Sequence, residues 1–183
     1  MLSHRPCQNH RVRPVLTADH VLGSATASII ILEYGCYCSP REKQVFAAVS
    51  AATKMFGDQV AFVFRHYPLV ATYPTAFLAA EAAEAAAAQG QFWQMHRYLA
   101  DHACPYRRHD LIQAATELEL DVPAFVHDLD THVYAELVKG HFHSGVGSNL
   151  RRVPAVFVNG VRCEESITLE QLRRVVKGVG AAA

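Results

Sequence analysis

The chain has 183 residues, 51% of them hydrophobic, and its 17 Lys and Arg balance 17 Asp and Glu for a formal net charge of zero. That length suits one domain with a sizeable core, or one domain carrying an insertion. The balanced charge, without any basic block interleaved with aromatics, excludes the electrostatic footprint of a nucleic-acid binder, and no run approaches the roughly 18 apolar residues of a membrane span.

The first twenty residues are basic and polar, without the apolar centre of a signal peptide, so the chain reads as cytoplasmic. Residues 1–18 are expected to form a flexible tail ahead of a domain over 19–180. Ile29-Ile30-Ile31-Leu32, closed by Gly35, is a short β-branched run of the kind found in a strand covered on both faces. Val60 to Phe64 repeats the signal, and Val45, Phe46, Val49 and Phe56 between them recur at helical spacing before a Gly57-Asp58 stop. Such a strand, helix, strand unit predicts two parallel strands joined by a right-handed crossover.

From about 73 to 150 the chain turns helical: AFLAAEAAEAAAAQ, FWQMHRYLADH, DLIQAATELEL and Tyr134 to Phe142 each favour helix by propensity and spacing. The glutamates and flanking aromatics give the alanine-rich piece an apolar face. Beyond this insert, Ala155 to Val158 reads as a strand, Asn159-Gly160 as a hairpin turn and Val161 to Cys163 as the returning strand. Thr168 opens a last amphipathic helix with Leu169, Leu172, Val175 and Val176 apolar. The order is βαβ, helices, ββα, an α/β class.

Five cysteines, Cys7, Cys36, Cys38, Cys104 and Cys163, are an odd number, which argues against a fully paired disulfide framework. Reduced or buried thiols are therefore expected at Cys7, Cys104 and Cys163. His141 and His143 form an isolated H-x-H, expected at the surface. No paired Cys or His spacing completes four ligands, so no metal is expected.

LEYG at Leu32 to Gly35, FRHYPL at Phe64 to Leu69, AAEAAEAAAAQGQFWQMH at Ala79 to His96 and VPAVFVNG at Val153 to Gly160 together resemble the DsbA family of thioredoxin-like proteins, over roughly Asp19 to Val176. The resemblance implies a thioredoxin-like fold with an inserted helical subdomain, thiol–disulfide oxidoreductase activity and a bacterial source. It places the family's C-P-x-C motif on Ser39, Pro40, Arg41 and Glu42, so serine and glutamate stand where the two cysteines would be. Dithiol exchange needs an attacking thiolate and a resolving thiol, and Ser39 supplies neither.

Two readings of this stretch remain open. Ser39-Pro40-Arg41-Glu42 fits a capping box worth ~1 kcal/mol, with Ser39 at the N-cap. Alternatively Cys36 and Cys38 form a displaced redox pair near the helix N-terminus, whose field lowers a thiol pKa. The resemblance also implies that Val153-Pro154 is a cis bond opposite the motif, with Val153 pairing a substrate backbone. The candidate catalytic residues are thus Cys36, Cys38, Ser39 and Pro154, and the candidate substrate-binding residues Val153, Pro40 and Glu42. The implied partner is a thiol- or disulfide-containing protein or peptide, with no nucleic acid and no membrane. Ser-Pro at the helix start also resembles kappa-class glutathione transferases, which makes glutathione the alternative ligand of a protein otherwise without cofactor. A non-catalytic module that holds a thiol peptide is a third reading.

Overall fold

The computed structural model describes residues 19–24, 26–102, 104–163 and 167–180. The tail expected over 1–18, including Cys7, lies outside them. At the centre, strand β2 (Ile29–Gly35) runs parallel to β3 (Val60–His66), with Ile31 opposite Phe62 and Gly35 opposite His66. Helix α1 (Glu42–Phe56) makes the crossover between them. Every residue of β3 is buried, as its unbroken apolar run requires of a strand covered on both faces. β4 (Ala155–Val158) pairs antiparallel with β2, and β5 (Val161–Arg162) with β4. Asn159 and Gly160 take positive φ in the turn between them. Asn159 also accepts from the Ile30 N–H at 2.8 Å and donates to the Ser28 carbonyl at 3.1 Å, which fixes the hairpin to the start of β2.

A strand that the sequence does not announce, β1 (His20–Gly23), adds antiparallel to β3 and completes the order β1-β3-β2-β4-β5. Its four residues are too few to show a period, and ionic contacts anchor it. Asp19 takes a two-pronged hydrogen bond from the buried Arg65, at 2.8 and 2.7 Å, and Arg65 also donates to the Tyr34 hydroxyl at 3.1 Å. A buried guanidinium is tolerable only with its charge matched in this way.

Five helices separate β3 from β4: α2 (Ala76–Ala87), α3 (Phe92–Asp101), α4 (Arg108–Glu117), α5 (Val122–Thr131) and α6 (Ala135–Gly147). Sequence reading does not assign α5, which starts where the Asp121 carboxylate accepts from the Ala124 N–H at 3.0 Å. The alanine-rich α2 is buried on most sides, not on one face, and packs against α3, α4, α5 and α6. Small side chains permit that crowding. Its two buried carboxylates are paired, Glu84 with His20 and His66, and Glu81 with His132.

Helix α7 (Leu169–Gly180) carries a reciprocal cap, in which Thr168 Oγ1 accepts from the Gln171 N–H and Gln171 Oε1 accepts from the Thr168 N–H. The capping box expected at Ser39 is not formed. Helix α1 begins three residues later, with Arg41 at its cap position and no side-chain cap. The reason is that Glu42 turns inward and accepts from the Cys36 N–H at 3.1 Å, while the Ser39 N–H is taken by the Cys36 carbonyl at 2.7 Å. Ser39→Ala is therefore expected to leave the unfolding free energy within about 0.5 kcal/mol of the parent. Thr168→Ala should cost about 1 kcal/mol. Urea midpoints of the two variants check both values.

Candidate functional site

The site is built on the turn that hands β2 to α1. Gly35 ends the strand, and a Cβ there would strike the Glu42 carboxylate and the Phe64 ring, so glycine is what admits Glu42 beneath the turn. The Gly35 carbonyl accepts from the Tyr67 N–H at 2.7 Å, holding the ends of β2 and β3 together. Tyr37 then folds back over the sheet, stacks on Phe64 and reaches His96 Nδ1 through its hydroxyl at 3.0 Å.

Cys38 is joined by a disulfide to Cys104, 66 residues away at the far end of α3. This corrects the reading of Cys36 and Cys38 as a pair with each other, one of the two left open by the sequence, and the free or buried thiol expected at Cys104. Tyr37 swings inward from the turn, so its neighbours leave the backbone in different directions. Cys36 is buried and outside the disulfide, and burial pushes its thiol pKa up, so of the two cysteines read as a displaced pair this one is not acidified. Thr75 bridges the two halves of the bond. Its hydroxyl lies 3.5 Å from Cys104 Sγ and 3.9 Å from Cys38 Sγ, and accepts from the Tyr106 N–H at 3.2 Å. Cys38 is buried while Cys104 is half-buried, and both border a groove of about 730 Å³ lined further by Ser39, Pro40, Lys43, Tyr73 and His102.

Behind the turn, two carboxyl groups share the interior. Glu33 and Glu42 are both buried, and both oxygens of Glu33 and one of Glu42 meet no hydrogen-bond donor in the protein. Burial raises Glu42 from its ordinary 4.5 to about 7, against the opposing pull of the Cys36 N–H. Burial and the neighbouring Glu42 charge raise Glu33 well above its ordinary value. Glu42, a candidate for substrate binding by sequence position, thus points into the core and away from the groove. His96, packed among Tyr37, Phe46 and Phe64, is held well below the usual histidine range by burial.

A second polar cluster ties the end of β3 to the insert. Glu84 takes hydrogen bonds from His66 at 2.7 Å and His20 at 2.8 Å; burial opposes its ionisation, but these partners hold it at about 2. His141, expected at the surface, is buried beside His66 and kept neutral down to about pH 4 by desolvation and the His66 charge. Donor atoms of His66, Glu84 and His141 lie within 4.8 Å of one another. The His141 Nδ1 takes the His66 backbone N–H at 3.4 Å, so these groups satisfy one another.

On the other side of Pro40, the loop before β4 closes the site. The Val153–Pro154 peptide is cis, Val153 is buried and Pro154 is half-buried. Pro154 lines a smaller pocket of about 210 Å³ with Arg41, Arg152, Arg162 and Cys163. The structure thus brings Cys38, Ser39 and Pro40 to one groove and Pro154 to the adjoining pocket, and sends Cys36 and Glu42 inside. Cys104, Thr75, Glu33 and His96 belong to the arrangement; Glu33 and His96 stand within the LEYG and QFWQMH motifs without being singled out for the site, and no motif or spacing marks Cys104 or Thr75.

Against known proteins, the model of a family described as Thioredoxin matches residues 16–178. The chain is 35% identical over 146 residues to the Na(+)/H(+) antiporter NhaA 1 of Mycolicibacterium vanbaalenii, a match over 79% of this chain and 24% of that protein. It spans about a quarter of the length of the curated relatives it matches, and no helix among its described residues is long and apolar enough to cross a membrane. Oxidised BdbD from Bacillus subtilis superposes with a TM-score of 0.79 at 19% identity, covering 92% of this chain and 96% of that one. A thioredoxin-like oxidoreductase from Silicibacter pomeroyi gives 0.77 at 22%, covering 90% and 94%. With a helical insert between β3 and β4 and a family model that spans nearly all of it, the chain belongs to the thioredoxin family and has the DsbA-like form of its fold.

Proposed function

We propose that the protein exchanges thiols with disulfide-containing proteins or peptides through the Cys38–Cys104 pair, a displaced substitute for the family's C-P-x-C site. The observation that supports this most is the position of the bond, one residue ahead of Ser39 and at the edge of an open groove. In the reduced protein the more exposed Cys104 thiolate attacks one sulfur of a substrate disulfide, and the other substrate sulfur leaves as a thiolate and takes up a proton. The Cys38 thiolate then attacks Cys104 Sγ in the mixed disulfide. That step restores the Cys38–Cys104 bond and releases the second substrate thiol, so the substrate gains two electrons and the protein loses them. Thr75, hydrogen-bonded to the Tyr106 backbone, holds the two sulfurs in line with each other.

Insulin-disulfide reduction with dithiothreitol as recycling reductant tests the assignment. Cys104→Ala and Cys38→Ala are expected to abolish turnover, Cys38→Ala leaving a trapped mixed disulfide on Cys104, while Cys36→Ala and Ser39→Ala retain it. Activity that survives Cys104→Ala but is lost in Cys36→Ala would overturn the assignment. Loss in Ser39→Ala alone would favour glutathione held by the serine hydroxyl. An inactive parent would leave the bond as a cross-link in a module that binds thiol peptides without turnover.

A further inference from the structure

Thr75 stands at the N-cap position of α2 and does not cap it. A threonine there ordinarily accepts from an N–H of the first helical turn, a bond worth about 1 kcal/mol. Here the hydroxyl lies instead against the two sulfurs, 3.5 Å from Cys104 Sγ and 3.9 Å from Cys38 Sγ. Its part in that contact follows from where its hydrogen can go. A hydroxyl has one hydrogen to donate and two lone pairs with which to accept. Thr75 Oγ1 accepts from the Tyr106 N–H at 3.2 Å, a bond in which its own hydrogen takes no part. Neither sulfur of a disulfide carries a hydrogen, so towards them the hydroxyl is the donor. Thr53, Thr116 and Thr131 spend theirs on a carbonyl three or four residues back in their own helices, at 2.7 to 3.0 Å. The acceptors that Thr75 meets are the sulfurs, and Cys104 is the nearer.

A disulfide sulfur is a weak acceptor and a thiolate a charged one, so the same hydroxyl binds more strongly once the bond is reduced. The positive end of α2 acts in the same sense: the helix has 12 residues, its first turn holds no acidic residue, and Cys104 Sγ lies beside its cap residue. The other ionisable groups about the bond are engaged elsewhere. Tyr37 bonds its hydroxyl to His96, Tyr106 donates to the Leu99 and His102 carbonyls, and Lys43 and Asp101 offset each other at 3.3 Å, while Tyr73 and His102 complete this part of the groove. We infer that Thr75 is a catalytic residue of the exchange, donating its hydrogen to the Cys104 thiolate of the reduced protein and so selecting Cys104 over Cys38 as the attacking sulfur. Cys38, buried and at the longer distance, is left as the resolving thiol, in the order of attack written above. This rests on the exchange reading, but the ionisation it describes exists without a substrate.

Alkylation of the reduced protein by iodoacetamide between pH 5 and 9.5, with each cysteine followed by peptide mass spectrometry, tests this without any exchange chemistry. In the parent, Cys104 is expected to reach half of its high-pH rate at a lower pH than Cys38. Thr75→Val keeps the shape of the side chain and deletes the hydroxyl. It should slow Cys104 about tenfold at pH 6, the worth of one hydrogen bond to a charged group, and leave its rate at pH 9.5 within about twofold. A role confined to packing would change access to the sulfur, and so both rates alike. Thr75→Ser keeps a hydroxyl and is expected to retain the parent profile. A Thr75→Val profile that superimposes on that of the parent, or a serine variant that follows the valine one, overturns the assignment. Circular dichroism shows whether the valine variant folds, since the Tyr106 N–H loses its acceptor there. If it does not fold, the order in the parent decides, and ionisation of Cys38 ahead of Cys104 overturns the assignment. Because no disulfide substrate takes part, a failure of insulin reduction leaves this outcome untouched, and a hydroxyl without effect on Cys104 leaves the exchange reading standing.

Discussion

Loss of the Cys38–Cys104 bond is expected to lower the unfolding free energy by about 4 kcal/mol. The bond closes a loop with a sequence separation of 66 residues, and removing that constraint restores chain entropy to the unfolded state, with the logarithm of loop length setting the size of the effect. Cys38→Ala and Cys104→Ala should show the same loss, because each deletes the same cross-link, and the double variant should add little to either. Cys36→Ala removes a small buried group and no cross-link, so its cost should be clearly smaller. Urea unfolding of the oxidised parent beside the four variants decides the matter. Midpoints for Cys38→Ala and Cys104→Ala equal to that of the parent would mean that the two cysteines are not bridged in solution.

The same free energy bears on the direction of exchange. Whatever the fold gains from the disulfide, the disulfide gains from the fold, and about 4 kcal/mol corresponds to roughly 90 mV for a two-electron couple. A bond stabilised by that amount is harder to reduce than one in an unfolded chain. The dithiol form is then the better donor, which is why the proposed reaction is written as reduction of a substrate disulfide. Strong oxidants of this fold class have the opposite balance, with their reduced form stabilised. Equilibration with glutathione redox buffers measures the potential, and a value above that of glutathione would reverse the direction.

What could be read from the sequence divides by physical cause. The strands β2, β3 and β4 and the Asn159-Gly160 turn were legible because continuous apolar runs and a two-residue turn are local signals. The edge strand β1 was not, since four residues anchored by Asp19 and Arg65 draw their stability from partners remote in sequence. The serine at position 39 fits a cap in its spacing, yet the spacing is silent about Glu42 having a better acceptor role below Gly35. The pairing of Cys38 with Cys104 is the plainest case: Cys36 is two residues from Cys38, and the partner chosen is 66 away because the end of α3 is folded over the turn. Helix propensity located most of the insert, but which of its residues come to the site depends on packing.

Glu42→Gln is expected to stabilise the protein at pH 8 by about 3 kcal/mol and to leave it unchanged near pH 4.5. The carboxyl is buried, and burial raises it from 4.5 to about 7 in the folded state. A group whose folded pKa lies above its unfolded value contributes stability that is fully present below the unfolded value and is lost as pH rises through the folded one. The parent should therefore weaken between about pH 5 and 8, by the free energy of a shift of roughly two and a half pH units at 1.36 kcal/mol each. Glu33, raised in the same direction by burial and by the Glu42 charge, adds to that slope. Glutamine keeps the carbonyl oxygen that accepts from Cys36 and cannot ionise, so it removes the Glu42 part and relieves Glu33 of a neighbouring charge. The polar cluster around His66 and Glu84 is the same in both proteins, so its contribution cancels in the difference. Urea midpoints of oxidised parent and variant at pH 4.5, 6, 7 and 8 give that difference directly. Curves that run parallel across this range would show that Glu42 ionises as freely in the folded chain as in the unfolded one, and would place its carboxyl in contact with water.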